Sequence, residues 1–99
     1  MEKKIYIEEN WGKESIVEMT DTLNISLMEF LELAFNLQLY RKSTPNIRRR
    51  WTMEEEGFLN NYAHHLSVRE ASNLLYRSHY ATYQKIRVLG LGEIMINKK

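Results

Sequence analysis

Apolar residues recur along this chain at helical spacing, interrupted by short polar stretches that begin with a hydroxyl residue. Phe30, Ala34 and Leu37 fall at i, i+4 and i+7, as do Thr82, Ile86 and Leu89. Four segments, Ser15-Ile16-Val17-Glu18, Ser26-Leu27-Met28-Glu29, Thr52-Met53-Glu54-Glu55 and Ser67-Val68-Arg69-Glu70, fit the capping-box pattern S/T-x-x-E. In such a box the hydroxyl accepts from an orphan N–H three residues on, and the Glu accepts in return. Ser78 is a fifth candidate cap, without the Glu. These signals predict helices near 3–10, 16–23 and 27–37, then near 53–62, 68–75 and 79–89. Between the second and third helix of each set only Asn24-Ile25-Ser26 and Tyr76-Arg77-Ser78 remain, the tight turn of a helix-turn-helix.

The pattern also repeats. Residues 15–39 align without a gap on residues 67–91, with identities at Ser15/Ser67, Glu18/Glu70, Leu23/Leu75, Ser26/Ser78, Leu37/Leu89 and Leu39/Leu91. Upstream, Asn10 pairs with Asn61 and Trp11 with Tyr62. A duplicated supersecondary unit accounts for this. The expected fold class is therefore all-α, two tandem tri-helical helix-turn-helix-like units of about six helices in total, packed together. Residues 1–40 would form the first unit and 41–51 a basic linker, with Pro45 stopping any helix through it. Residues 52–91 would form the second unit and 92–99 a tail, in which Ile94-Met95-Ile96 adds a short extended segment or frays.

Net charge over all 99 residues is +1, which conceals a division. Residues 1–40 carry Lys3, Lys4 and Lys13 against Glu2, Glu8, Glu9, Glu14, Glu18, Asp21, Glu29 and Glu32. Residues 41–99 carry eleven Lys and Arg against Glu54, Glu55, Glu56, Glu70 and Glu93. The later half can gain free energy from phosphates by releasing counterions, and the earlier half would be repelled by them. The chain has no Cys, so disulfides and thiolate metal sites are excluded. Its apolar runs fall short of the roughly 18 residues of a membrane span, and Met1 to Ile7 is charged. The expected location is the cytoplasm.

Trp51-Thr52-Met53-Glu54-Glu55 resembles the W-T-x-E-E opening of Myb/SANT-type, homeodomain-like domains. Ile86-Arg87-Val88-Leu89-Gly90-Leu91 resembles bacterial and phage relatives, including GcrA-type cell-cycle regulators, whose third helix closes on R-L-G-L. The likeness covers residues 51–91; the first unit is a degenerate copy without the opening. Leu74, Leu75, Ile86 and Leu89 stand in for the two further tryptophans of a eukaryotic Myb repeat. The resemblance implies DNA binding through the third helix or, in SANT-type relatives, binding to protein, and makes a phage or mobile-element origin plausible.

The third helices of the two copies carry opposite chemistry. In the second, Tyr80, Tyr83, Gln84 and Arg87 lie opposite the core face, with His79 at the N-terminal end. A recognition helix offers such residues to the major groove. Arg can pair with guanine O6 and N7, and Gln with adenine N6 and N7. Arg77 and Lys85 flank this face, where phosphates would run. Arg48, Arg49 and Arg50 would form a basic arm directed at a minor groove, or they keep the linker soluble and pair with Glu54 to Glu56. The equivalent helix of the first copy offers Leu27, Met28, Leu31 and Phe35. Leaving them in water would forgo about 1.5–3 kcal/mol each, so something covers them: the second unit, a second copy of the chain, or another protein.

His64 and His65 are loop neighbours without further ligands, and no catalytic constellation or glycine-rich phosphate loop has a supporting context. No enzyme activity, metal or cofactor is expected. The expected function is a small DNA-binding regulator of transcription, reading double-stranded DNA with helix 79–89, the first unit serving packing or homodimerisation. The alternative is an interaction regulator that binds a host protein through Leu27, Met28, Leu31 and Phe35.

Overall fold

A computed structural model describes residues 2–46 and 49–93. Its helices are α1 (Lys3–Asn10), α2 (Ile16–Leu23), α3 (Leu27–Asn36), α4 (Met53–Tyr62), α5 (Val68–Leu75) and α6 (His79–Val88). Two single 3₁₀ turns occupy Leu39–Arg41 and Ala63–His65. The described residues form an all-α fold of six α-helices, with no membrane-length apolar helix among them.

The capping residues do what their chemistry requires. Ser15, Thr52 and Ser67 accept from the N–H of Glu18, Glu55 and Glu70, and each Glu accepts from the cap's own N–H. Ser26 caps α3 by accepting from Glu29 N–H, while the Glu29 carboxylate pairs with Lys3 at 3.0 Å. Ser78 caps α6 by accepting from Ala81 N–H at 3.1 Å.

Backbone geometry duplicates along with sequence. Adding 52 to the bounds of α2 and α3 yields those of α5 and α6. Asn24 and Tyr76, the C-caps of α2 and α5, are both left-handed, at φ 55° and 53°. The bonds Ile25 N–H to Thr20 O and Arg77 N–H to Ser72 O are the same bond in the two copies. So are Leu37 N–H to Leu33 O and Leu89 N–H to Lys85 O. The third helices end one residue earlier than the expected 37 and 89; Leu37 and Leu89 are their caps.

The two units share one core. Tyr76 is fully buried, yet it sits in the left-handed region, unusual for a bulky side chain. Its ring meets the edge of Trp11 at 5.1 Å between centroids, and its hydroxyl accepts from Gly12 N–H. Trp11 in turn stacks on Phe30 at 6.0 Å. A residue from the turn of the second unit thus fills the centre of the first. The stretch expected to be a linker is also stitched down. Leu39 is buried, Thr44 Oγ1 donates to Asn73 O at 2.8 Å, and Asn73 Nδ2 donates to Tyr40 O at 2.9 Å.

The open question about α3 resolves inside the molecule: α4 covers its outward face. Leu31 is fully buried, while Leu27, Met28 and Phe35 are half-buried and pack against the core. Phe35 lies 4.8 Å from Tyr62, 5.6 Å from Tyr40, 5.8 Å from His65 and 6.5 Å from Phe58, centroid to centroid. Glu54 accepts from Met28 N–H at 3.1 Å, and Glu32 from Tyr62 Oη at 3.0 Å. That last bond, with burial, raises the Tyr62 phenol above its ordinary value. Of the three covers open to Leu27, Met28, Leu31 and Phe35, the second unit supplies the one seen here, and their expected role as a protein interface gives way to packing within the molecule. Burying Leu31 and much of Leu27, Met28 and Phe35 is worth several kcal/mol, so most of this apolar face is spent on packing within the molecule.

Candidate nucleic-acid interface

Residues Thr82 and Ile86 point α6 into the core and are buried, with Leu89 half-buried behind them. Thr82 resolves its burial by donating from Oγ1 to Ser78 O at 2.9 Å. With that side fixed, the helical period sends His79, Tyr80, Tyr83, Arg87 and Val88 outward, and all five are exposed. Gln84 is half-buried at the edge of the same face. Tyr80 keeps 70% of its surface in water, Tyr83 43% and Val88 78%. These are three of the six large hydrophobic side chains left exposed among the described residues. The concentration on one helix face marks a contact surface more strongly than scattered single residues would. Arg87 stands over the Tyr83 ring, its Cζ 5.9 Å from the centroid, which orients the guanidinium along the face. No Asp or Glu occurs between Ala71 and Gly92.

Among the described residues, the flanking cations divide into one that is exposed and three that are engaged in ion pairs. Arg50 is exposed. Lys85 pairs with Glu56 at 2.9 Å and lies 5.4 Å from the Trp51 ring centroid. Arg49 makes a two-pronged bond to Glu55, at 3.0 and 2.9 Å, with its side chain 18% exposed. Arg77 corrects the sequence reading: it flanks no phosphate path but is buried, its side chain 4% exposed. It donates to both Glu55 oxygens, with Nη2 at 3.0 Å from Oε1 and 3.2 Å from Oε2. Nη1 donates to Arg49 O, and Nη2 also reaches Arg50 O at 2.9 Å. Its Cζ lies 3.9 Å above the Trp51 ring. Arg48 lies outside the described residues.

Glu55, fully buried, is the centre of this knot. It also accepts from Thr52 N–H at 3.0 Å, closing the capping box of α4. The Arg side chains and the capping bonds compensate the cost of burying a carboxylate. The sequence marked Glu55 as a capping residue and, with Glu54 and Glu56, as a candidate partner of the three Arg, a part that Arg49 takes. Its second role was legible in part: a Glu at N3 beside three consecutive Arg offers ion pairing, but the partner from residue 77 is a tertiary fact. Val88, four residues after Gln84 and eight after Tyr80, extends the same face, and its position off the core side was readable from that spacing.

No family model, curated protein or solved structure matches this chain. Its functional reading therefore rests on its own residues. Among the described residues no group of three or more His, Asp or Glu could hold a metal ion. His64 and His65 are exposed, with ring centroids 3.9 Å apart.

Proposed function

We propose that this chain is a small DNA-binding regulatory protein whose α6 enters a major groove, with the first unit serving as its structural support. One observation carries the reading. The face of α6 equivalent to the covered face of α3 is open and presents His79, Tyr80, Tyr83, Gln84 and Arg87 without a carboxylate on the helix. Arg87 supplies a bidentate donor for guanine, Gln84 a donor–acceptor pair for adenine, and the two tyrosines offer phosphate bonds and thymine-methyl contact. Arg50 adds a cation beside the helix. The W-T-x-E-E opening at Trp51 and the R-L-G-L-like close at Arg87 agree with a homeodomain-like, phage-type regulator.

Fluorescence anisotropy against pooled duplex DNA, at rising salt, tests this. Binding at low salt with a negative log–log salt slope is expected. Arg87→Ala and Tyr83→Ala should weaken binding to the preferred duplex, Arg87→Ala by about tenfold or more, as the loss of a bidentate base pair costs about 1–3 kcal/mol. Absence of affinity at low salt, or wild-type affinity in both variants, would reject the reading.

A further inference from the structure

The same guanidinium that neutralises Glu55 holds the backbone of the basic arm. Arg77 Nη1 and Nη2 take the carbonyls of Arg49 and Arg50, the two residues before Trp51. The Trp51 ring lies beneath Arg77 Cζ at 3.9 Å and within 5.4 Å of Lys85 Nζ, on the flank of α6. The Arg49 side chain is turned inward onto Glu55, whereas the Arg50 side chain is exposed. Arg77 itself lies in the turn two residues before His79, where α6 begins. The chain at residues 49–51 is thus tied by two carbonyls, one carboxylate pair and one ring to the N-terminal end of the helix offered to DNA.

We propose that Arg77 is a positioning residue for nucleic-acid binding, resting on the DNA-binding reading above: it never touches DNA, and it fixes the arm so that Arg50 meets a backbone phosphate beside the groove that receives α6. An arm held this way gives up little freedom on binding, which is where preorganisation raises affinity. A guanidinium is needed because its fork serves the carboxylate and both carbonyls at once; an ammonium at the same place has no such planar geometry.

A thermodynamic cycle on the full chain tests the assignment. Anisotropy titrations with one duplex across a salt series would compare wild type, Arg50→Ala, Arg77→Lys and the double variant, each shown folded by circular dichroism. With a salt slope of about 0.9 per phosphate contact, Arg50→Ala should lower the slope by about 0.9 and the affinity at 0.1 M salt roughly eightfold. Arg77→Lys should lower the slope by a similar amount, and adding Arg50→Ala to it should then change affinity less than about twofold. A purely structural Arg77 would reduce the folded fraction without altering the slope, and Arg50→Ala would keep its full effect in the Arg77→Lys background; that additive result overturns the proposal while leaving DNA binding intact. No binding by wild type at low salt would instead overturn the DNA-binding reading itself. Should Arg77→Lys not fold, backbone relaxation of the wild type decides. Order parameters near 0.85 at Arg50 and Trp51 are expected, and values below about 0.6 overturn the assignment.

Discussion

Glu55 and Tyr76 are the two side chains on which most of this structure turns, because each is buried with a polar group that must be satisfied. Glu55 holds its charge between Arg49 and Arg77. Replacing it by Gln leaves the Arg77 guanidinium buried without its anion, and breaking such a pair costs about 3–5 kcal/mol. A urea titration of Glu55→Gln should show that loss. Glu55→Gln combined with Arg77→Met should be less destabilised than the sum of its single variants, since the most deeply buried guanidinium then leaves with its anion and only Arg49, 18% exposed, loses its partner. Tyr76 predicts the alkaline limit. Burial raises its phenol above the ordinary 10.0, the Gly12 N–H opposes this in part, and the Glu14 charge adds to it. The folded state therefore holds this proton to higher pH than the unfolded chain. Its contribution is complete below about pH 10 and is lost as pH rises through the folded value. Tyr62 has the same sign, from its bond to Glu32. Midpoints of denaturation should fall above about pH 10, and Tyr76→Phe should fall less steeply over the same range.

The helices owe their limits to local chemistry and their worth to what covers them. Three capping boxes are complete, but Ser67 and Glu70 are buried whereas Ser15 and Glu18 lie in solvent or at its edge. Loss of a cap costs about 0.5–2 kcal/mol; Ser67→Ala should fall at the upper end and Ser15→Ala at the lower, read by thermal melting. The Ser15 N–H and hydroxyl hold the Glu18 carboxyl below its ordinary 4.5. That contribution is present above the ordinary value and lost as pH falls through the folded one, so Glu18→Gln should flatten the acid side of the stability curve. The duplication allows a sharper comparison. Leu31 and Tyr83 occupy the same place in α3 and α6, one fully buried and the other 43% exposed. Leu31→Ala should cost about 2–5 kcal/mol and Tyr83→Ala within about 0.5 kcal/mol, while only the second should weaken DNA binding. Equal stability losses would contradict the different fates of these two faces.

For the whole molecule, the Cα radius of gyration is 12.6 Å. A single domain of this length is expected near 13 Å, so the two units make one body and not two beads on a string. The reason is mutual covering. A unit of about 40 residues leaves too much apolar surface in water to stand alone. The first unit spends its outward α3 face on α4, and Tyr76 of the second fills the space beside Trp11 and Phe30. Among the described residues, it is α6, of the two third helices, whose outward face stays open, with Tyr80, Tyr83 and Val88 exposed. Truncation to residues 49–93 should accordingly give a chain that fails to show a cooperative thermal transition, a direct check on whether the first unit is structural support.

The six helices, the N-caps of five of them, the two tight turns and the duplication at an offset of 52 were legible in the sequence, because capping and helical periodicity act over three to seven residues; Glu2, which caps α1 by accepting from Lys4 N–H, carried no such signal. The opposite chemistry of the two outward faces was legible for the same reason: Leu31 and Tyr83 declare themselves by residue type. Tertiary structure alone decided which partner covers α3, that the segment around Tyr40 and Thr44 is bound to α5, and that Arg77 serves Glu55 and not a phosphate. Those outcomes depend on contacts between residues 22 to 64 positions apart, and no local pattern encodes which of several available partners a buried charge or an apolar face will meet.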